Sequence, residues 1–166
     1  AGIWPFGKGR VDVPAGQSTL LLPQRPYIPQ GTLRGAVVYP NTTDQFTDAA
    51  IRDALTAAQL PHLVDRLDET DTWERRLSGG EQQRLAIARA ILAKPAWLFL
   101  DESTASLDEP SEAKIYRMLR ERLPDTTIVS IGHRSTLDAF HEKRIVLEPQ
   151  GNLFTPRERL EPQPAE

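Results

Sequence analysis

Hydrophobic positions change period several times along the chain, and each change marks an element. Ser18-Thr19-Leu20-Leu21-Leu22 is a short apolar run behind the turn Pro14-Ala15-Gly16-Gln17. It predicts a strand, and the alternating Arg10-Val11-Asp12-Val13 predicts a shorter one before it. Pro23, Pro26, Pro29 and Pro40 punctuate the next segment, which can continue neither a ladder nor a helix and predicts a loop leading to another lobe. From Asp48 the period is helical. Ile51, Ala54, Leu55 and Ala58 share one face, Thr47 or Asp48 is placed to cap it, and Pro61 ends it. Leu63, Val64 and Leu67 suggest a shorter helix, and the acidic run 65–74 is expected to be exposed.

A long helix opens at Ser78-Gly79-Gly80-Glu81, with Leu85, Ala88 and Leu92 at i, i+3 and i+7, and Pro95 stops it. Trp97-Leu98-Phe99-Leu100 is continuously apolar, as in a strand buried on both faces. Pro110 suits the first turn of the next helix, where Ile115, Tyr116, Leu119 and Leu123 line one side. Residues 127–131 and 144–147 are two more strand candidates. Strand, helix and strand in alternation predict a parallel α/β sheet. The end of the chain, with Pro162 and Pro164, reads as a tail.

Composition narrows the classes. The chain has 166 residues, a net charge of -3 and 26% charged residues, an ordinary balance for one domain and not the basic surface of a nucleic-acid binder. It has no cysteine, which excludes disulfides and thiolate metal sites. There is no apolar run of about 18 residues to span a bilayer, and Ala1-Gly2-Ile3-Trp4-Pro5 does not open a signal peptide. A globular cytosolic domain is expected.

Two stretches carry chemistry. Leu100-Asp101-Glu102 puts two carboxylates at the carboxyl end of a parallel strand, where such sheets bind ligands. Asp suits magnesium held through water, and the neighbouring Glu suits polarising an attacking water. A solvated acidic turn would look the same in isolation. Leu77-Ser78-Gly79-Gly80-Glu81-Gln82-Gln83-Arg84 lies at a helix start about twenty residues upstream. Its glycines permit close backbone approach, and the free N–H groups attract an anion. A bare Ser-Gly-Gly would be only an N-cap; the full string is far more specific.

At these residues the chain resembles the ATP-binding-cassette (ABC) ATPases. Residues 77–84 resemble their signature motif, and residues 97–102 their Walker B strand with its glutamate. Ser103-Thr104-Ala105-Ser106-Leu107-Asp108 resembles the D-loop, His133 in Ile131-Gly132-His133-Arg134 the switch histidine, and Gln24 the Q-loop glutamine. The five occur in the family's order and at its spacing, and the resemblance extends over residues 10–147. The resemblance implies an α/β fold of the P-loop NTPase (RecA-like) type, a parallel sheet that is incomplete here, with an inserted helical signature subdomain. Residues 1–25 and 95–155 would form the ATPase core, 26–94 the helical subdomain and 156–166 a tail. It further implies ATP and Mg2+ as ligands. Asp101 and Gln24 would help hold the metal, Glu102 would be the general base and His133 would contact the γ-phosphate. Ser78, Gly79 and Gly80, with Glu81, would bind the nucleotide held by a second copy in a head-to-tail dimer, across which Asp108 would communicate.

A P-loop reads G-x-x-x-x-G-K-[ST] between a strand and a helix. Gly2-Ile3-Trp4-Pro5-Phe6-Gly7-Lys8-Gly9 nearly fits and is rejected: Gly9 replaces the metal-ligating hydroxyl, Pro5 stiffens the loop, and a strand pattern follows instead of a helix. In the family a similar stretch follows the P-loop helix, so the P-loop is expected upstream of Ala1, and this chain alone is expected to be inactive. The P-loop strand would lie between the strands at 128–131 and 145–147, leaving backbone groups without partners. The Leu22-Pro23-Gln24-Arg25-Pro26-Tyr27-Ile28-Pro29-Gln30-Gly31-Thr32-Leu33-Arg34 run resembles the branch of peroxisomal fatty-acyl exporters and bacterial peptide or vitamin transporters. In that branch a transmembrane domain precedes the ATPase on one polypeptide, at the cytoplasmic face of a membrane, with no nucleic-acid partner. The rivals are a DNA-repair type ABC ATPase, which would need sustained coiled-coil heptads between Gln24 and Ser78, and a non-catalytic fragment.

Overall fold

The computed structural model of the chain describes residues 10, 12, 15–151 and 153–159. The loop at 2–9, the complete strand expected over 10–13 and the tail beyond 159 lie outside the described residues. Strand β1 (Thr19–Leu22) leaves through the proline segment to the two-residue β2 (Gly31–Thr32), which runs straight into helix α1 (Leu33–Val38). Helix α2 (Asp48–Ala57), β3 (Thr70–Asp71), α3 (Trp73–Arg76) and the long α4 (Gly79–Ala93) follow. Then come β4 (Trp97–Asp101), α5 (Glu109–Arg122), β5 (Thr127–Ile131), β6 (Arg144–Gln150) and β7 (Leu153–Arg159).

The sheet that carries the site has three parallel strands in the order β1-β4-β5. Their side chains alternate between two faces. Leu98 and Leu100 are buried against the apolar sides of the helices, with Ile115 and Leu119 of α5 in the same core. The opposite face holds the row Leu21, Phe99 and Val129, which face one another through the ladder. Leu21 is 53% exposed and Ile131 58%. β4 is therefore buried on one face only, not on both as its continuous apolar run suggested. Period counts apolar residues and cannot see that, among the described residues, only one layer of helices covers them. β6 pairs with β7 in a hairpin and not with β5.

Helix α4 starts where the sequence places it, at Ser78, and closes on Lys94 in the left-handed conformation (φ 43°) ahead of Pro95. Helix α2 is capped by Thr47, whose hydroxyl accepts from the Ala50 N–H, and buries Ile51, Ala54 and Leu55. Four expectations differ from the structure. The proline segment is not wholly a loop: the proline-free stretch between Pro29 and Pro40 contains β2 and α1, with Thr32 capping through the Gly35 N–H. Leu63 and Val64 end a single 3-10 turn (Pro61–Leu63) where a second helix was expected. The acidic run 65–74 is not all exposed, because Leu67 and Trp73 are fully buried. Backbone bonds from Leu33 and Arg34 to Glu69 and Leu67 hold it down, and Arg34 also grips Asp68 (2.9 Å) and Asp48. Finally, residues 156–159, assigned to the tail, pair along β6, with Leu147 opposite Pro156 and Arg144 opposite Arg159.

Candidate functional site

Three adjacent parallel strands end side by side, and each carries one polar residue just beyond its last position or two further on. Glu102 follows β4 directly, Gln24 stands two residues past β1, and His133 two residues past β5. Their side chains meet. Gln24 donates from Nε2 to Glu102 Oε2 at 2.9 Å, and His133 Nδ1 lies 3.5 Å from Glu102 Oε1. Glu102 itself sits in the left-handed region (φ 47°), unusual for a residue with a side chain and a form of strain that concentrates at functional sites. Its N–H donates to Ile131 O at 2.9 Å, which locks the turn against β5. The cluster is open: the His133 side chain is 74% exposed and that of Glu102 36%.

Asp101 closes β4 and faces Ile131 in the register. Its carboxylate and the Gln24 side-chain carbonyl, left over when Nε2 is committed to Glu102, are hard oxygen donors suited to magnesium. No group of three His, Cys, Asp or Glu side chains among the described residues could hold a metal. Magnesium in general keeps several waters and takes few protein ligands beside substrate phosphates.

The signature residues form a second assembly at the start of α4. Ser78 and Glu81 make a capping box. The Ser78 N–H and hydroxyl donate to Glu81 Oε2 at 2.8 and 2.7 Å, and the Glu81 N–H donates back to Ser78 Oγ at 3.4 Å. The other Glu81 oxygen meets His62 Nε2 at 2.8 Å. Burial pushes the Glu81 carboxyl up, but the Ser78 hydroxyl and N–H and His62 outweigh it and hold it below the usual carboxylate range. Gly79 and Gly80 face the loop after β4. A Cβ on Gly80 would come within 3.4 Å of Leu107 Cδ2, and one on Gly79 within 3.6 Å of Ser106 Oγ.

Asp108 caps α5. The Ser111 N–H and hydroxyl donate to its two oxygens at 2.8 and 3.1 Å and hold its carboxyl below the ordinary range. The structure thus joins Gln24, Glu102 and His133 in one cluster, with Asp101 at its strand end. Ser78 and Glu81 are joined in another, with Gly79 and Gly80 in the same turn, and Asp108 is engaged within its own helix. It also shows polar residues that the sequence reading passed over. Gln83 is 2% exposed and Glu112 2%. Glu112 accepts from Thr104 Oγ1 at 2.7 Å and Thr136 Oγ1 at 3.2 Å. Arg134 donates to the carbonyls of Leu107 and Ala105 at 2.9 and 3.0 Å. No pattern of apolar residues flags a buried polar side chain; only the motif context of Gln83 and Arg134 was a signal.

Polar groups converge here at the carboxyl ends of parallel strands, where open α/β sheets bind their ligands, beside a helical insertion. A bacterial Atm1-family ABC exporter with ATP bound has this fold: it superposes with a TM-score of 0.69 at 28% identity, over 79% of this chain and 23% of its own. Residues 14–105 match the sequence profile of the ABC transporter family, and the chain belongs to that family. An uncharacterized ABC transporter ATP-binding protein of Haemophilus influenzae is 46% identical over 91% of this chain and 25% of its own length. The human ATP-binding cassette sub-family D member 3 is 34% identical over 90% of this chain and 24% of its own. The chain thus spans about a quarter of the length of these relatives.

Proposed function

We propose that this chain supplies the signature, Walker B and switch elements of an ATPase that couples Mg-ATP hydrolysis to transport across a membrane. The observation that carries the reading is the Glu102 carboxylate, bracketed by Gln24 and His133 at three neighbouring strand ends. In this reading Glu102 accepts the proton of the water that attacks the γ-phosphate. Gln24 fixes Oε2 and so orients the carboxylate, and His133, open to solvent, reaches the γ-phosphate. Asp101 and Gln24 would hold the magnesium ion, whose contribution is to neutralise phosphate charge.

Ser78, Gly79, Gly80 and Glu81 serve the nucleotide of a second copy, with Asp108 facing across the same dimer. The chain divides at about residues 25 and 95 into an ATPase core and a helical signature subdomain, in keeping with where α1 to α4 fall. A transmembrane domain on the same polypeptide, at whose cytoplasmic face this segment works, agrees with the length of the relatives. No helix among the described residues is long and apolar enough to cross a membrane. Short helices, and no coiled coil, fill the space between Gln24 and Ser78, which favours this reading over a DNA-repair ATPase.

The test is Glu102→Gln in the ATPase completed by its P-loop. Nucleotide binding is expected to persist while phosphate release falls about 100-fold or more, the usual worth of a general base. Normal turnover would sink the assignment. Residues 1–166 contain no sequence that fits a P-loop, so by themselves they are expected to release no phosphate.

A further inference from the structure

Gln83 lies on the second turn of α4 and has no part in the roles above. It is 2% exposed, and both ends of its side-chain amide are bonded to main chain far away in sequence. Nε2 donates to the carbonyl of Gln24 at 3.2 Å, 59 residues distant. Oε1 accepts from the N–H of Ser106 at 3.0 Å, 23 residues distant. Each target lies in a segment outside helix and strand, and each segment carries candidate chemistry. Gln24 is the residue whose side chain holds Glu102. Ser106 is the nearest residue that a side chain on Gly79 of the signature turn would meet. A single buried side chain therefore ties the start of α4 to the loop after β1 and the loop after β4.

We propose that Gln83 is a positioning residue that makes these three segments move as one body, so that the placement of the signature turn sets the placement of Gln24 and, through it, of Glu102. The proposal rests on the ATPase reading above. Its chemistry is specific to an amide, because one end must donate and the other accept. Leucine of similar size offers neither, and leaves a buried carbonyl and N–H without partners, a costly arrangement. Glutamate keeps an acceptor for Ser106 but turns a second oxygen toward the Gln24 carbonyl.

The experiment compares wild type, Gln83→Leu and Gln83→Glu in the complete ATPase, reading kcat, KM for ATP and the thermal midpoint. Both variants are expected to lose tenfold or more in kcat, with KM within twofold of wild type and the midpoint lowered by only a few degrees, the cost of the unpaired carbonyl and N–H. Gln83→Glu decides the matter if the leucine variant fails to fold. Wild-type kcat in a folded variant would overturn the proposal, as would a loss seen only in the midpoint. An inactive wild-type protein would instead overturn the ATPase reading itself.

Discussion

Ser78 and Glu81 close the first turn of α4 on each other, so their contribution to stability can be separated from any contact with nucleotide. The carboxyl of Glu81 is held below its ordinary value by the donors from Ser78 and His62, against the effect of burial. A depressed carboxyl stabilises the folded state fully above its unfolded pKa, near 4.3, and that stabilisation disappears as pH falls through the lower folded value. Glu81→Gln removes the charge at every pH. The variant is expected to unfold more easily than wild type at neutral pH, by about 1 kcal/mol as for a lost cap. The gap should close as the pH drops below about 4. Urea unfolding at pH 7 and pH 3.5 measures both; a gap that persists unchanged at the lower pH would show that the charge is not what matters. Glu81 is marked in the sequence by its motif neighbours, and the capping box is legible there too, as Ser followed three residues later by Glu. The His62 contact was not, because it crosses from another element at a separation of 19 residues.

Between elements, the loop after β4 is held from two sides. Gln83 grips it at Ser106. From the other side Thr104 donates to the buried Glu112 of α5, and Arg134, in the loop after β5, donates to the Ala105 and Leu107 carbonyls. Arg134 also lies 3.6 Å from Glu112, so the segments that hold Glu102 and His133 share one buried carboxylate. Glu112→Ala leaves the buried Thr104 hydroxyl without its acceptor, and is expected to cost about 1–3 kcal/mol. It should also raise amide hydrogen exchange at residues 103–107 more than elsewhere in the chain. Unchanged exchange there, beside a measurable loss of stability, would mean that Glu112 supports only α5. This linkage was invisible in the sequence for a physical reason. Periodicity sorts polar residues to the outside, and Glu112, at the start of a helix where acids favour the dipole, looked like an ordinary first-turn acid. Helices α2, α4 and α5 were legible because their apolar faces repeat over ten or more residues. Helix α1, six residues long, is too short for a period to show and sits between prolines that argue for a loop.

For the molecule as a whole, the order β1-β4-β5 explains why three residues scattered over 110 positions of sequence converge, since parallel neighbours end at one edge of the sheet. The alternation of strand and helix made that architecture readable, but it did not reveal that one face of the sheet is open. On that face Leu21, Val129 and Ile131 are 53%, 36% and 58% exposed, whereas parallel sheets are normally covered on both faces. Side chains that pack so little cannot contribute much to the stability of the 166-residue chain. Leu21→Thr and Ile131→Thr keep a residue that suits a strand. Each is expected to change the free energy of unfolding by no more than about 0.5 kcal/mol, as for a surface substitution. The same changes remove apolar surface from a continuous patch, so the double variant should bind the dye ANS less strongly than the unaltered chain. A loss above about 2 kcal/mol in either single variant would be the signature of a packed core position. It would mean that the face is covered in solution and that the apolar row across β1, β4 and β5 belongs to an interior.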